Sequence, residues 1–169
     1  MTDTATKIAA GLERAFISHG FAEPNVETLR DAAGVSLRTL YKYTPSRDEM
    51  VLSALEHRHL RYLDHVFAPV PGAGDLSLAE IIDRIAEWMA TEAPHGCLFH
   101  AAVAAAPQNG RLLALLKQHK SEVAAQAATL IGCESQAVDL AFLFEGLTQT
   151  WPLLGAEATA TAKRFAERL

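Results

Sequence analysis

Apolar residues recur at three- and four-residue spacing along nearly the whole chain, and glycine and proline cut that pattern into segments. Ile8, Ala9, Leu12, Ala15 and Phe16 make one apolar stripe ahead of Gly20 and Phe21. Ser46 with Glu49 has the S-x-x-E form of a capping box and opens a long segment toward Phe67. The stretch PVPGAG from Pro69 to Gly74 then breaks the chain. Ser77 with Glu80 repeats the capping signal, and Leu78, Ile81, Ile82, Ile85, Trp88 and Met89 follow the helical period. Further helices are predicted over Cys97–Ala105, from Asn109 or Gly110 to about Leu130, over Ser135–Trp151 and over Ala156–Leu169, with Pro152 and Gly155 as breakers. No useful β-alternation and no repeat at solenoid spacing occurs. The fold class expected is all-α.

The segment VETLRDAAGVSLRTLYKYTPSRDEM, residues 26–50, carries the densest information. Leu29, Ala32 and Ala33 form a small apolar face. Gly34 stands where a helix ends on a left-handed residue, and Val35 follows as its apolar contact. Ser36 is placed to cap a new helix over Leu37–Tyr43. Two helices across such a turn make a helix-turn-helix, whose second helix enters the DNA major groove. Between Ser36 and Arg47 there are three cations, Arg38, Lys42 and Arg47, and no anion. Ser36, Thr39, Tyr41 and Tyr43 add hydroxyl donors. These are the groups that hold phosphates and touch base edges. Tyr41 and Arg47 are expected on the DNA backbone, Arg38 on guanine and Thr39 on a thymine methyl.

The run AGVSLRTLYKYTPSRDEM resembles the DNA-binding segment of the tetracycline-repressor (TetR) family of bacterial transcriptional regulators, whose usual form is AGVS-x-x-TLY-x-YF-x-SK-x-x-L. The resemblance is sharp over about residues 8–55. It implies a three-helix head, residues 1–50, and a helical ligand-binding and dimerisation body, residues 51–169, with a connector helix at about 47–67. It further implies a homodimer whose last two long helices pair between subunits. Such a dimer is expected to bind palindromic double-stranded DNA and to be released by an unknown small-molecule effector. Three positions depart from the pattern. Thr44 replaces an aromatic anchor, Arg38 a frequent glycine, and Glu27 a frequent basic residue.

Net charge is −5, with 8 basic and 9 acidic residues in 1–67 and 7 and 11 in 68–169. That balance excludes sequence-blind coating of nucleic acid but leaves room for a local basic face. Neither a leader peptide nor an apolar run of spanning length is evident, so a cytoplasmic protein without membrane contact is expected. Cys97 and Cys133 are expected as buried free thiols. His95, Cys97 and His100 carry metal-ligand chemistry but lack a second pair at metal spacing, so no metal and no cofactor is expected. His57, Arg61 and His65 share a helix face that reads as solvated. No GxSxG, P-loop, GxGxxG or HExxH motif occurs, and the chain is not expected to be an enzyme.

Residues 138–151 are apolar on more than one side, so that helix must be buried on several faces, and a second copy of the chain is the expected partner. Phe142, Leu143 and Leu147 are the candidate interface residues. Trp88, Met89, Phe99, Leu140, Phe144 and Trp151 are candidates for an effector pocket, although at helical spacing such residues also serve as plain core. A helical interaction module and a small-molecule-binding protein without DNA binding stay open as alternatives.

Overall fold

The computed structural model describes residues 3–69 and 76–169, and every regular element among them is helical. The breaker stretch at 70–74 lies outside the described residues. The helices are α1 (Asp3–His19), α2 (Val26–Ala33), α3 (Leu37–Tyr43), α4 (Arg47–Phe67), α5 (Leu78–Glu92), α6 (Leu98–Ala105), α7 (Gly110–Leu130), α8 (Ala137–Leu154) and α9 (Ala156–Ala166). A short 3-10 turn, Glu134–Gln136, precedes α8.

Two compact units divide the chain. The first takes Met1–Arg61 with Leu98–Leu116; the second takes Tyr62–Cys97 with Lys117–Leu169. The first unit thus runs past the expected boundary at residue 50 to Arg61 and includes α6 with the start of α7. Side chains explain this division. The middle of α4 is bonded to α1, as described below. At its start, Asn109 donates to Asp48 at 2.9 Å, and Arg111 is ion-paired with Glu49. The hydrogen bond from Arg111 holds the Glu49 carboxyl below its ordinary 4.5 and raises the Arg111 guanidinium.

Local signals set most helix ends. Ser77 and Glu80 form a full capping box on α5. At α4 only half of the expected box forms. Ser46 accepts from the Glu49 amide at 3.2 Å, while the Glu49 carboxylate turns to Arg111. The α8 helix runs through Pro152 to Leu154 instead of stopping at Trp151. A proline in the last turn forfeits one backbone bond, and the Gly155 amide still closes the end on the Trp151 carbonyl at 2.9 Å.

The second unit packs around Ile81, Ile82, Ile85, Trp88 and Met89 of α5 and Leu140, Leu143, Phe144 and Leu147 of α8, with Ala158 and Ala162 of α9 against them. Tyr62 stands edge-on to Trp88 at 5.2 Å and to His119 at 5.0 Å. Both cysteines are free thiols, half-buried instead of fully buried. No helix among the described residues is long and apolar enough to cross a membrane.

Candidate nucleic-acid interface

The α2–turn–α3 segment forms as its residues dictate. Asn25 caps α2, accepting from the Thr28 amide at 2.9 Å. Gly34 closes α2 at φ 63 and ψ 40, a left-handed conformation that costs glycine nothing. Its amide reaches the carbonyls of Arg30 and Asp31, both at 3.0 Å. Ser36 then caps α3, its Oγ accepting from the Thr39 amide at 3.1 Å and lying 2.8 Å from the Thr39 hydroxyl.

Only Leu40 of α3 is buried. Thr44, one turn on, is buried beside it, and its hydroxyl donates to the Leu40 carbonyl at 2.9 Å. The departure at Thr44 is thus absorbed without an unpaired polar group. Everything else on α3 faces outward or partly so. Arg38, Tyr41, Lys42 and Tyr43 are exposed, Tyr41 to 43%, and Thr39 is half-buried. Among the described residues no ion pair engages Arg38 or Lys42. Lys42 sits over the Tyr43 ring at 5.7 Å. A short helix so exposed, with two cations, two phenols and no anion, suits a polyanionic partner.

Arg47 has a different setting. Its guanidinium donates to the Pro24 carbonyl at 2.8 Å and the Phe21 carbonyl at 2.6 Å, 6.0 Å from the centre of the Phe16 ring. A cation at a helix start is disfavoured by the dipole. Here the α1–α2 turn supplies compensating carbonyls, so no phosphate is needed to explain the charge.

The face carrying His57 and Arg61 is only partly solvated. Glu13 of α1 is buried, and three side chains of α4 converge on it: His57 Nδ1 at 2.6 Å, Arg58 at 3.0 Å and Arg61 at 2.8 Å. Its charge comes to rest in an apolar interior only because these partners surround it. His65, on the same face, lies in the second unit and meets the Arg84 carbonyl at 3.0 Å.

Two further contacts support the head, and neither has a signal in the sequence. Lys7 donates to the Gly34 carbonyl at 3.0 Å and Arg14 to the Ala32 carbonyl at 3.3 Å, so α1 supplies cations to the C-terminal end of α2. Gly11 also lets the two helix backbones touch.

Of the candidate pocket residues, Trp88, Met89, Leu140 and Phe144 come together as solid core of the second unit, with Trp151 packed against them. Phe99 belongs to the first unit. An open groove of about 680 Å³ lies elsewhere in the second unit, along α8 and α9, between Phe142, Gly146 and Leu154 on one side and Phe165 and Leu169 on the other. Of the three candidate interface residues, Phe142 projects into solvent at 84% exposure. Leu143 (9%) and Leu147 (2%) point inward and floor the groove. Val138 on the same outward face and Leu153 near the end of α8 are also exposed.

A helix-turn-helix with an outward, cationic second helix, followed by an all-helical body, defines the architectural class. It is the fold of TetR-family transcriptional regulators. A TetR-family regulator from Streptomyces coelicolor superposes with a TM-score of 0.81 at 17% identity, covering 99% of this chain and 89% of that one. A Rhodococcus protein described as a TetR-family regulator gives 0.71 at 17%, covering 99% and 98%. The fatty acid degradation regulator FadR from Bacillus halodurans gives 0.64 at 16%, covering 99% and 94%. At such identities the likeness establishes the fold. No protein-family model matches the chain, and no curated protein matches it.

Proposed function

We propose that the protein is a sequence-specific DNA-binding transcriptional regulator acting as a homodimer in the cytoplasm. One observation carries the reading: α3 is capped at Ser36, seated by Leu40, and leaves Arg38, Tyr41, Lys42 and Tyr43 exposed and Thr39 half-buried, with no anion among them. Arg38 and Thr39 supply base contacts; Ser36, Tyr41, Lys42 and Tyr43 hold backbone. Arg47 contributes by fixing the head.

One head reads one half-site, so specificity on a palindrome needs two. The apolar ridges of α8 and α9 answer that need. Phe142 and Phe165 flank a groove floored by Leu143 and Leu147. A twofold axis lets each copy set its Phe142 against the other's groove, the isologous arrangement of closed dimers.

The body would take a small-molecule effector that shifts DNA affinity by its differential affinity for two conformations. Repression with effector release is the regulatory scheme that goes with this fold.

The test is selection of duplexes from a random pool, followed by titration of the recovered sequence. A palindromic consensus bound by a dimer supports the reading. Recovery of no consensus, or binding by a monomer, defeats it in favour of a helical interaction or small-molecule-binding protein.

A further inference from the structure

We infer that the buried Glu13 carboxylate is a positioning residue for DNA recognition, because its bonds to His57, Arg58 and Arg61 fix the direction of α1 on α4 and so the aim of the helix-turn-helix. The inference rests on the DNA-binding reading and names a residue remote from the DNA-facing helix.

The head is fastened to α4 at two places. Arg47, at the start of α4, holds the α1–α2 turn through the Phe21 and Pro24 carbonyls. Glu13 holds α1 itself ten residues and more further along, about 15 Å at the rise of an α-helix. Two separated fastenings set a direction, whereas one alone is a pivot.

What rides on α1 is the rest of the reading head. Gly11 meets the α2 backbone, and Lys7 and Arg14 bond the Gly34 and Ala32 carbonyls at the mouth of the turn. The start of α3 therefore follows α1, while its end is tied to α4 through Thr44–Ser46. A swing of α1 about Arg47 twists α3 between those supports.

The choice of a carboxylate also points to geometry more than to stability. Buried ion groups are weak stabilisers compared with apolar side chains of the same size, and their best-attested use is to fix one register among several. Glu13 interrupts an apolar face formed by Ile8, Ala9, Leu12 and Phe16, where an apolar residue would pack without a directional preference.

The experiment compares the full chain with Glu13→Gln on the duplex recovered by selection with the parent. Electrostatics alone predicts tighter DNA binding, since the variant loses a negative charge. Positioning predicts the opposite sign: dissociation constants raised roughly two- to thirtyfold, at an unchanged salt slope, in a chain whose circular dichroism is that of the parent. Hydrogen exchange should show α3 amides less protected and α8 amides unaltered. Equal or tighter DNA binding by the variant overturns the inference. If the parent selects no DNA, the regulatory reading fails and α3 protection decides the role of Glu13 by itself. If Glu13→Gln does not fold, His57→Phe removes one bond and leaves the carboxylate with both guanidiniums. Weakened DNA binding by that variant then supports the inference, and parental affinity overturns it.

Discussion

A Cβ placed on Gly11 would lie 2.4 Å from the carbonyl oxygen of Ala32 and 2.5 Å from the Ala33 Cα. The two helices of the head thus cross backbone to backbone. Gly11→Ala improves intrinsic helix propensity by about 1 kcal/mol. The crossing reverses that gain, because the obstacle is main chain and cannot rotate away. We expect a net loss of about 1–3 kcal/mol, the range for overpacked sites. Urea unfolding checks it, and a stabilised variant would disprove so close a crossing.

If α3 reads DNA as proposed, Arg38 and Lys42 divide the work into reading and holding. Arg38→Ala should relax preference at one base pair per half-site, at about 1–3 kcal/mol each. Lys42→Ala should weaken all sequences alike and reduce the salt slope by about 0.9 per half-site. Repeating the duplex selection with each variant distinguishes the two. An unaltered consensus from Arg38→Ala removes it from the reading set.

Arg47→Ala should act on stability and leave the salt slope unchanged. It strands the Phe21 and Pro24 carbonyls, each bonded at 2.8 Å or less in the parent. Hydrogen bonds from charged donors are worth about 1.5–3 kcal/mol each, and the exposed side of this site lowers that value. Thermal melting measures the loss. A reduced salt slope with unchanged melting would instead put Arg47 on a phosphate.

Acid should loosen the head through Glu49. Its folded-state carboxyl is depressed by the hydrogen bond from Arg111. A depressed folded value contributes stability above the unfolded value of about 4.5, and that contribution disappears as pH falls through the folded value. Arg111→Met should therefore melt lower than the parent at neutral pH and lose less on acidification below that value. Parallel melting curves across the acid range would show the pair contributes nothing.

Periodicity and turn chemistry made the helices legible. Gly34 and Ser36 alone define the turn, and Ser77 with Glu80 fixes the start of α5. Glu13 is not among the candidate residues of the sequence, although a carboxylate amid Ala9, Leu12 and Phe16 is the signal that buried partners exist. The α4 residues by themselves suggest a solvated face for His57 and Arg61, because their partner Glu13 lies on α1. Gly11 was not legible, since its meaning depends on a helix twenty residues away. Nor was the outward face of α8. Phe142, Leu143 and Phe144 are equally apolar, and with apolar residues on every side periodicity cannot say which one projects. Packing decides that, and it places Leu143 in the core.

That placement decides which substitution tests the proposed dimer. Leu143→Glu would put a charge into the core of a single subunit and unfold it, whatever its partner. Phe142→Glu leaves the core intact, because Phe142 is 84% exposed. If α8 and α9 pair across a twofold axis, the substitution acts twice, forfeiting roughly 1.5–3 kcal/mol of apolar burial per side and adding two carboxylates to an apolar contact. We expect a folded monomer with a parental circular dichroism spectrum and weakened binding to the full palindrome. Its head should still bind a single half-site, weakly and with half the salt slope of the dimer. Light scattering at matched concentration gives the answer directly. A variant that remains dimeric places the interface away from the α8–α9 groove, and a parent that is itself monomeric removes the two-headed mechanism.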